Sequence, residues 1–422
     1  MSRGRTESAG VALLGGAAAC CVGVVIALAA WLAYAGFAPF WPAAVVEVSL
    51  RDGSIVLGER VARFDDAQVL RASEVERLGG AYRRLRPNDV VATATPRHAL
   101  AIELADGRRL FARDGGDAAA LLAEAGANES DIVERVVPNT LDFGSRCVLF
   151  AQRIARFVAS APDTSNVSGG VLPALIGTLT LVLLMSVLAM PLGVATAVFL
   201  HQRRGTFARV LRGTIDLLAG MPAILYGVLG LGLFVHGLGA RIDAWFFADR
   251  LPVPTFGSGG LLWAAVTLAL LTLPVIVVSV ERGLAGIPAP LREGSLALGA
   301  TREETMWRLL LPLARPAILG GFALAIARAA GSVAPLMLVG VVKLAPALPF
   351  DAHFPYFHPS AQFMHLGFSV YDASMASPDA LRGVPRAYAC AALLVLVVLA
   401  LNLSAIVLRN RLRVRQRMLE PA

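Results

Sequence analysis

Two polar side chains, Arg328 and Ser332, interrupt an apolar run extending from Ala317 to Val342. A helix rising ~1.5 Å per residue would put Arg328, about eleven residues into that run, near the middle of a bilayer. An arginine at such depth costs at least ~2.5 kcal/mol on insertion scales and usually faces a bundle interior or a water-filled cavity. Its guanidinium stays charged at any working pH and can grip two oxygens of a tetrahedral anion at once. Ser332, four residues on, would share the helical face and offer a hydroxyl donor. The chemistry that fits this pair is recognition of an oxyanion. Two structural uses compete with it: an ion pair with a carboxylate on another span, or snorkelling to the interface.

Upstream, Arg292–Pro316 (REGSLALGATREETMWRLLLPLARP) is too polar to cross a bilayer yet lies between two apolar runs. Arg292–Leu298 reads as a short helix that Gly299 ends in a left-handed conformation. Thr301 then caps a second helix, and Glu304, three residues later, completes a capping box. Pro312 and Pro316 mark the start of the next span. The expected product is a helix–turn–helix on the membrane surface, presenting a side-chain face to a soluble partner or serving as a plain connector.

Other polar groups carry weaker signals. Lys343 is the only lysine in the chain, and Val341-Val342 and Leu344-Ala345 flank it. A P-loop needs a lysine directly after its glycines, so this polypeptide is expected to have no ATPase site and no cofactor of its own. Lys343 reads either as bait for an incoming anion or as a solvated end-cap. His353, His358 and His365 have the wrong spacing for a metal site, and no metal is expected. The four cysteines form neither a disulfide framework nor a CxxC pattern. HExxH, GxSxG and paired intramembrane aspartates are missing from the sequence, which argues against an intramembrane enzyme.

The elements that must hold these groups follow from hydropathy. The chain has 422 residues, 56% of them hydrophobic, and a mean hydropathy of +0.66. Runs of ~20 apolar residues suit membrane helices. Six are expected, at Val11–Phe37, Val171–Leu200, Thr214–Ala240, Gly260–Glu281, Ala317–Val342 and Arg386–Leu408. The first follows Arg3 and Arg5 and reads as a retained anchor, not a cleaved leader. The formal net charge of +8 is nearly all arginine; it reports topology and membrane lipid as surroundings, with no nucleic acid implied. Arg203, Arg204, Arg209 and Arg212 lie between spans two and three, Arg282, Arg292, Arg302, Arg308 and Arg315 between four and five, and Arg409–Arg417 after span six. By the positive-inside rule these connectors and both termini face the cytoplasm. Asp216 and Glu281, at the same ends, are expected to meet interfacial arginines. Bent spans are expected at Pro191, Pro222, Pro274 and Pro335, and close packing at Gly213, Gly220, Gly227, Gly230 and Gly232.

The domain boundaries expected are an N-terminal tail and first span (1–41), an extracytoplasmic insert (42–168), a five-helix transmembrane domain (169–408, with the polar connector at 282–316) and a basic tail (409–422). In the insert, Val45–Leu50 and His98–Ala112 around Asp106-Gly107 alternate as strands, whereas Ala67–Leu85 and Ala118–Ala125 read as short helices, giving a small α+β unit.

The pattern E-G-S-x3-G-x9-L-x-L-P, carried by Glu293, Gly294, Ser295, Gly299, Leu311 and Pro312, resembles the EAA loop of ABC-importer permeases, E-A-A-x3-G-x9-I-x-L-P. Gly294 and Ser295 replace two alanines, and Leu309 the usual isoleucine. From Gly169 onward, GGVLPALIGTLTLVLLMSVLAMPLGVATAVFL, DLLAGMPAILYGVLGLGLF, AIARAAGSVAPLMLVG and FMHLGFSVYD make the chain similar to phosphate-import permeases of the PstA type. The resemblance implies an all-α, MetI-like six-helix bundle in the bacterial cytoplasmic (inner) membrane. It implies as partners an ABC ATPase in two copies that binds the ATP, a second homologous permease and a periplasmic phosphate-binding protein. It also implies that the loop docks into the ATPase and transmits its closure. The family's R-x-x-G-E-x-A-P segment, implicated in anion handling, is matched by Arg328, Gly331, Ala334 and Pro335, with Ser332 where a glutamate is usual. Importers of another oxyanion (sulfate or molybdate) share this architecture, and a membrane-anchored signalling or scaffold subunit, in which only the insert binds, is the remaining alternative.

Overall fold

The computed structural model describes residues 3–64, 67–73, 82–162, 169–250, 252–352, 354, 356–377 and 380–417. The chain divides into two compact units, Met1–Leu172 with Leu381–Pro385, and Pro173–Ala380 with Arg386–Ala422. Among the described residues, six helical stretches are long and apolar enough to cross a membrane: Gly15–Phe40, Leu172–Gln202, Ala223–Phe246, Leu261–Ala285, Arg302–Ala330 and Leu381–Val407.

The first unit opens with α1 (Arg3–Phe37), which carries no charged residue from Val11 to Phe37, as a span requires. A five-stranded antiparallel sheet follows, built from β1 (Val45–Leu50), β2 (Ile55–Phe64), β3 (Ala67–Ala72), β4 (Tyr82–Leu85) and β5 (Val90–Ala94) in the order β4-β3-β2-β1-β5. A second sheet, of β6 (Leu100–Leu104), β7 (Arg109–Ala112) and β8 (Ile132–Val136), has the order β7-β6-β8. The β6–β7 turn places Gly107 at φ +79°, as the Asp106-Gly107 pair predicts. Helix α2 (Gly115–Glu124) is capped by Asp114, which accepts from the amides of Gly116 and Asp117. Its Leu122 packs with Ile102, Leu104 and Leu110. Helix α3 (Phe143–Ala159) closes the unit, capped by Asp142.

The helix expected at Ala67–Leu85 is not formed: its ends are strands β3 and β4, paired with each other and, through β3, with β2. Residues 74–81 lie outside the described ones. Alanine, leucine and arginine favour a helix locally, but pairing overrides propensity here. Gly58 of β2 lies flush on β3, where a Cβ would sit 2.2 Å from the Arg71 carbonyl oxygen, and Leu70 is fully buried.

The second unit is helical. Helix α4 (Leu172–Gln202) is followed by α5 (Thr206–Gly220), α6 (Ala223–Leu229), a π-helical stretch (Gly230–Gly239) and α7 (Ala240–Phe246). Span three therefore begins at Ala223 and not at Thr214. Pro222 occupies the N-cap of α6 with extended backbone, and α5 is a separate amphipathic helix whose Ala208 and Ile215 are buried. Helix α8 (Leu261–Ala285) is the central post; 67% of its apolar window is buried. It is followed by α9 (Ala289–Ala297), α10 (Arg302–Glu304), a π-helical stretch (Thr305–Leu310) and α11 (Leu311–Ala330). Gly321 lets α11 approach α8 so closely that a Cβ there would lie 2.5 Å from the Ser279 Cβ. The short α12 (Ala334–Val339) packs on α6, with Gly227 against Pro335. Helix α13 (Leu366–Tyr371) and the long α14 (Ala380–Arg417) complete the chain. Of the glycines expected to mediate packing, Gly227 and Gly230 meet neighbours, whereas Gly213, Gly220 and Gly232 face open space.

The helix that carries span five also differs from its expected bounds. It runs from Arg302 to Ala330, straight through Pro312 and Pro316. The π-helical stretch widens the turn immediately before Pro312, and a proline in the first turn of α11 forfeits little. At the far end Gly331 caps the helix, so Gly331–Val342 is a break followed by α12, not a continuation.

Candidate functional site: the polar elbow and the Arg328 helix end

The elbow is assembled by local hydrogen bonds. Helix α9 ends at Leu298, and Gly299 takes φ +89°. The Gly299 amide donates to the Leu296 carbonyl (3.0 Å) and the Ala300 amide to the Ser295 carbonyl (3.2 Å). These two bonds are the 5→2 and 6→1 pair of a Schellman turn. On the other side the Glu304 amide donates to the Thr301 hydroxyl (3.2 Å), while the Thr301 amide donates to the Glu304 carboxylate (3.0 Å). That is the capping box expected from Thr301 and Glu304.

A contact invisible to local pattern locks the angle. The Ser295 and Thr305 hydroxyls lie 2.9 Å apart, joining α9 to the start of the next helix. The only hint in the sequence is a pair of hydroxyl residues ten positions apart, and the alanine usual at position 295 could not make this bond. Gly294 meets nothing that a Cβ would strike. Glu293, Gly294, Gly299 and Thr301 are exposed, Ser295, Leu311 and Pro312 are half-buried, and Thr305 and Met306 are buried beneath the elbow. Leu298 is 91% exposed and Trp307 61%. Beside them Pro290, Leu291, Gly294, Leu298 and Leu309 line a groove of about 730 Å³. The sequence-designated residues Glu293, Gly294, Ser295 and Gly299 are thus brought together on one elbow, with Leu311 and Pro312 at the root of the span it leads into.

Arg328 occupies the last turn of α11 and is exposed. Ser332 does not continue its helical face. Its hydroxyl donates to the Arg328 carbonyl at 2.7 Å and so caps the broken helix end. No carboxylate pairs with Arg328 among the described residues; the C-terminal end of the helix dipole favours a cation there. Exposed, at a helix break and without an ion-pair partner, the guanidinium keeps all five donors for another anion.

Two carboxylates that sequence reasoning passed over, Asp372 and Asp243, are buried in this unit. Lys343 pairs with Asp372 at 3.2 Å, so Lys343 is neither a free bait nor a solvated end-cap. Asp243, 1% exposed, accepts from the amides of Thr255, Phe256 and Gly257 and closes the loop after α7. His365 is fully buried and caps α13, its Nδ1 accepting from the Gly367 amide at 3.0 Å; burial lowers its pKa to about 4. His358 lies 3.1 Å from Asp351, and His353 lies outside the described residues. No cluster of three metal-ligating side chains occurs among the described residues. Of the interfacial carboxylates, Glu281 meets Arg212 at 2.6 Å.

Comparison with known proteins extends this picture. Residues 189–418 match the family described as binding-protein-dependent transport system inner membrane component. The Probable ABC transporter permease protein YqgH of Bacillus subtilis is 35% identical over 45% of this chain and 59% of its own length. The phosphate transport system permease protein PstA 1 of Mycobacterium tuberculosis is 34% identical over 57% of this chain and 71% of its own. A solved inward-facing MetNI methionine ABC transporter aligns over 57% of this chain and 94% of that one, at 20% identity and a TM-score of 0.43, an overlap too loose to assign a conformational state. With six spans, a capped elbow leading into the fifth and a family match over more than half its length, the chain belongs to the binding-protein-dependent transport system inner membrane components, the multi-pass permeases of ABC importers.

Proposed function

We propose that this chain is the membrane permease subunit of an ATP-driven inorganic phosphate importer. The observation that carries the reading is its 34% identity to a phosphate transport permease over 71% of that protein. In this reading the elbow is the mechanical input. Its doubly capped turn makes α9 and the helix entering α11 a stiff bracket. The exposed Leu298 and Trp307, beside the groove, give a soluble motor an apolar grip. ATP is bound and hydrolysed by that motor, two copies of an ABC ATPase, and a second permease completes the pathway. A phosphate-binding protein delivers the ion from the opposite face. The arginine-rich connectors put both termini and the elbow in the cytoplasm and the insert outside. Arg328 is the substrate-path residue: its guanidinium meets the phosphate oxygens bidentately, and Ser332 holds the helix end that presents it.

The test uses the assembled transporter in proteoliposomes loaded with ATP. Glu293→Arg and Gly299→Pro are expected to reduce phosphate uptake more than tenfold while the ATPase subunits continue to turn over. Arg328→Ala is expected to abolish uptake, with Arg328→Lys restoring only part, since an ammonium cannot make the bidentate contact. Undiminished uptake in all three loss variants would defeat the proposal. Uptake of sulfate or molybdate in place of phosphate would keep the architecture and move the substrate to another oxyanion.

A further inference from the structure

At the end of the helical bundle that carries the elbow lies a basin of about 650 Å³. Six arginines line it: Arg203 and Arg204 from the α4–α5 connector, Arg209 and Arg212 from α5, Arg282 from α8 and Arg292 from α9. Against them stands a single carboxylate, Glu281, and it is already engaged with Arg212 at 2.6 Å. The other five make no ion pair among the described residues. Arginines that only report topology need to lie on the correct side of a membrane; nothing in that role makes them converge on one cavity from segments some eighty residues apart in sequence. Guanidinia pointed at a common volume repel one another. The arrangement is relieved by a multiply charged anion, and phosphate oxygens match the guanidinium fork. Water fills ~30 Å³ per molecule, so the basin has room for far more than one phosphate ion. Its floor includes the buried, apolar Leu200 and Ala208, which suits a ligand with an apolar part next to its charges.

We propose that this basin binds the phosphate groups of an anionic phospholipid headgroup, and that the bound headgroup ties α9 of the elbow, through Arg292, to the ends of α4, α5 and α8. Basic pockets between membrane helices on the cytoplasmic side hold such headgroups elsewhere. The orientation proposed above decides only which leaflet supplies the lipid. The shared chemistry is a phosphate group, and a free inorganic phosphate is the other source that could supply it. Because the basin touches α9 and not Arg328, occupancy would bear on elbow motion and leave substrate contact untouched.

The experiment is lipid and ion binding to the full chain assembled with its partner subunits, measured by native mass spectrometry and equilibrium titration. The probes are a two-phosphate anionic phospholipid, a zwitterionic phosphatidylcholine and inorganic phosphate. The triple variant R203Q/R204Q/R209Q, which leaves Arg212–Glu281 intact, is compared with R241Q/R250Q, which removes charge from a connector outside the basin. At roughly fivefold per basic residue near a membrane surface, the loss of three should weaken binding of the two-phosphate lipid on the order of a hundredfold, with the control unchanged. R203K/R204K/R209K should recover part of the affinity. Loss of inorganic phosphate binding in the triple variant, with no preference for the lipid, supports the phosphate site and makes the free ion its occupant. Equal losses in the triple and control variants, or no loss in either, overturn the proposal. So does a triple variant that sheds the ATPase subunit while keeping its lipid, because the basin would then be a protein contact. None of these readouts uses transport, so failure here is distinct from failure of the importer assignment.

Discussion

Arginine is used in two opposite ways in this protein. In the strand-rich first unit the buried guanidinia are matched by carboxylates. Arg153 donates to Glu134 at 2.9 and 2.6 Å, with both side chains under 10% exposed, and Arg156 lies 3.0 Å from the same carboxylate. Arg109 bridges Glu59 (3.0 Å) and Glu103 (3.5 Å). In the helical unit, six arginines around one basin share one glutamate. A buried charge must be neutralised by the fold itself, whereas an exposed one can wait for a ligand. The first set therefore belongs to folding and the second to whatever anion or partner reaches it.

The contrast can be broken most forcefully at Arg153. Arg153→Ala leaves the buried Glu134 carboxylate with only the part-exposed Arg156 as partner, and since breaking a buried pair from one side costs about 3–5 kcal/mol, the loss should approach but not exceed that. Hydrogen exchange of the amides in Ile132–Val136 in the full-length protein should accelerate accordingly, and unchanged protection there would show that the pair does not hold the sheet. Acid is the gentler version of the same break. Burial pushes the Glu134 pKa up, but the hydrogen bond from Arg153 and the charges of Arg153, Arg156 and Arg109 outweigh it, leaving the carboxyl below its ordinary value of 4.5. A depressed carboxylate contributes stability above its unfolded pKa and loses it as pH falls through the folded one. Protection of β8 should therefore hold from neutral pH to about 4.5 and decay only below it; loss beginning near neutrality would contradict the assignment.

In the other unit the same kind of substitution should do little. Arg212→Gln removes a half-exposed pair with Glu281 and should cost ~0.2–1 kcal/mol, less at high salt. Arg209→Ala has no partner to lose and relieves repulsion, so thermal unfolding of the detergent-solubilised protein should move by no more than the equivalent of ~0.5 kcal/mol, toward higher stability if at all. A large destabilisation from Arg209→Ala would erase the distinction between the two sets.

The caps of the elbow were the most legible part of the molecule in one dimension, because their bonds join residues within five positions of each other. Gly299 at positive φ and the Thr301–Glu304 box both follow from neighbours in sequence. The number of spans followed for a similar reason, since apolar run length is a local quantity. Their limits did not, where prolines were concerned. Pro222 breaks a helix and Pro312 does not, although both sit in apolar surroundings, and the difference lies in the π-helical turn that makes room before Pro312. Arg328 was expected inside an unbroken helix running on to Val342, and it is the cap at Gly331 that puts the same residue in the last turn of α11.

Composition and spacing alone determined six apolar runs long enough to cross a membrane and a capped elbow between two of them, because hydropathy and capping are properties of short stretches; the permease assignment came from resemblance to a known family. Tertiary structure decided which charges meet. Ser295 finds Thr305, Lys343 finds Asp372 and Arg109 finds Glu59 only once distant segments are packed. It also turned Ala67–Leu85 from apparent helix into two strands, since a strand's stability resides in its neighbour and a neighbour has no local signature.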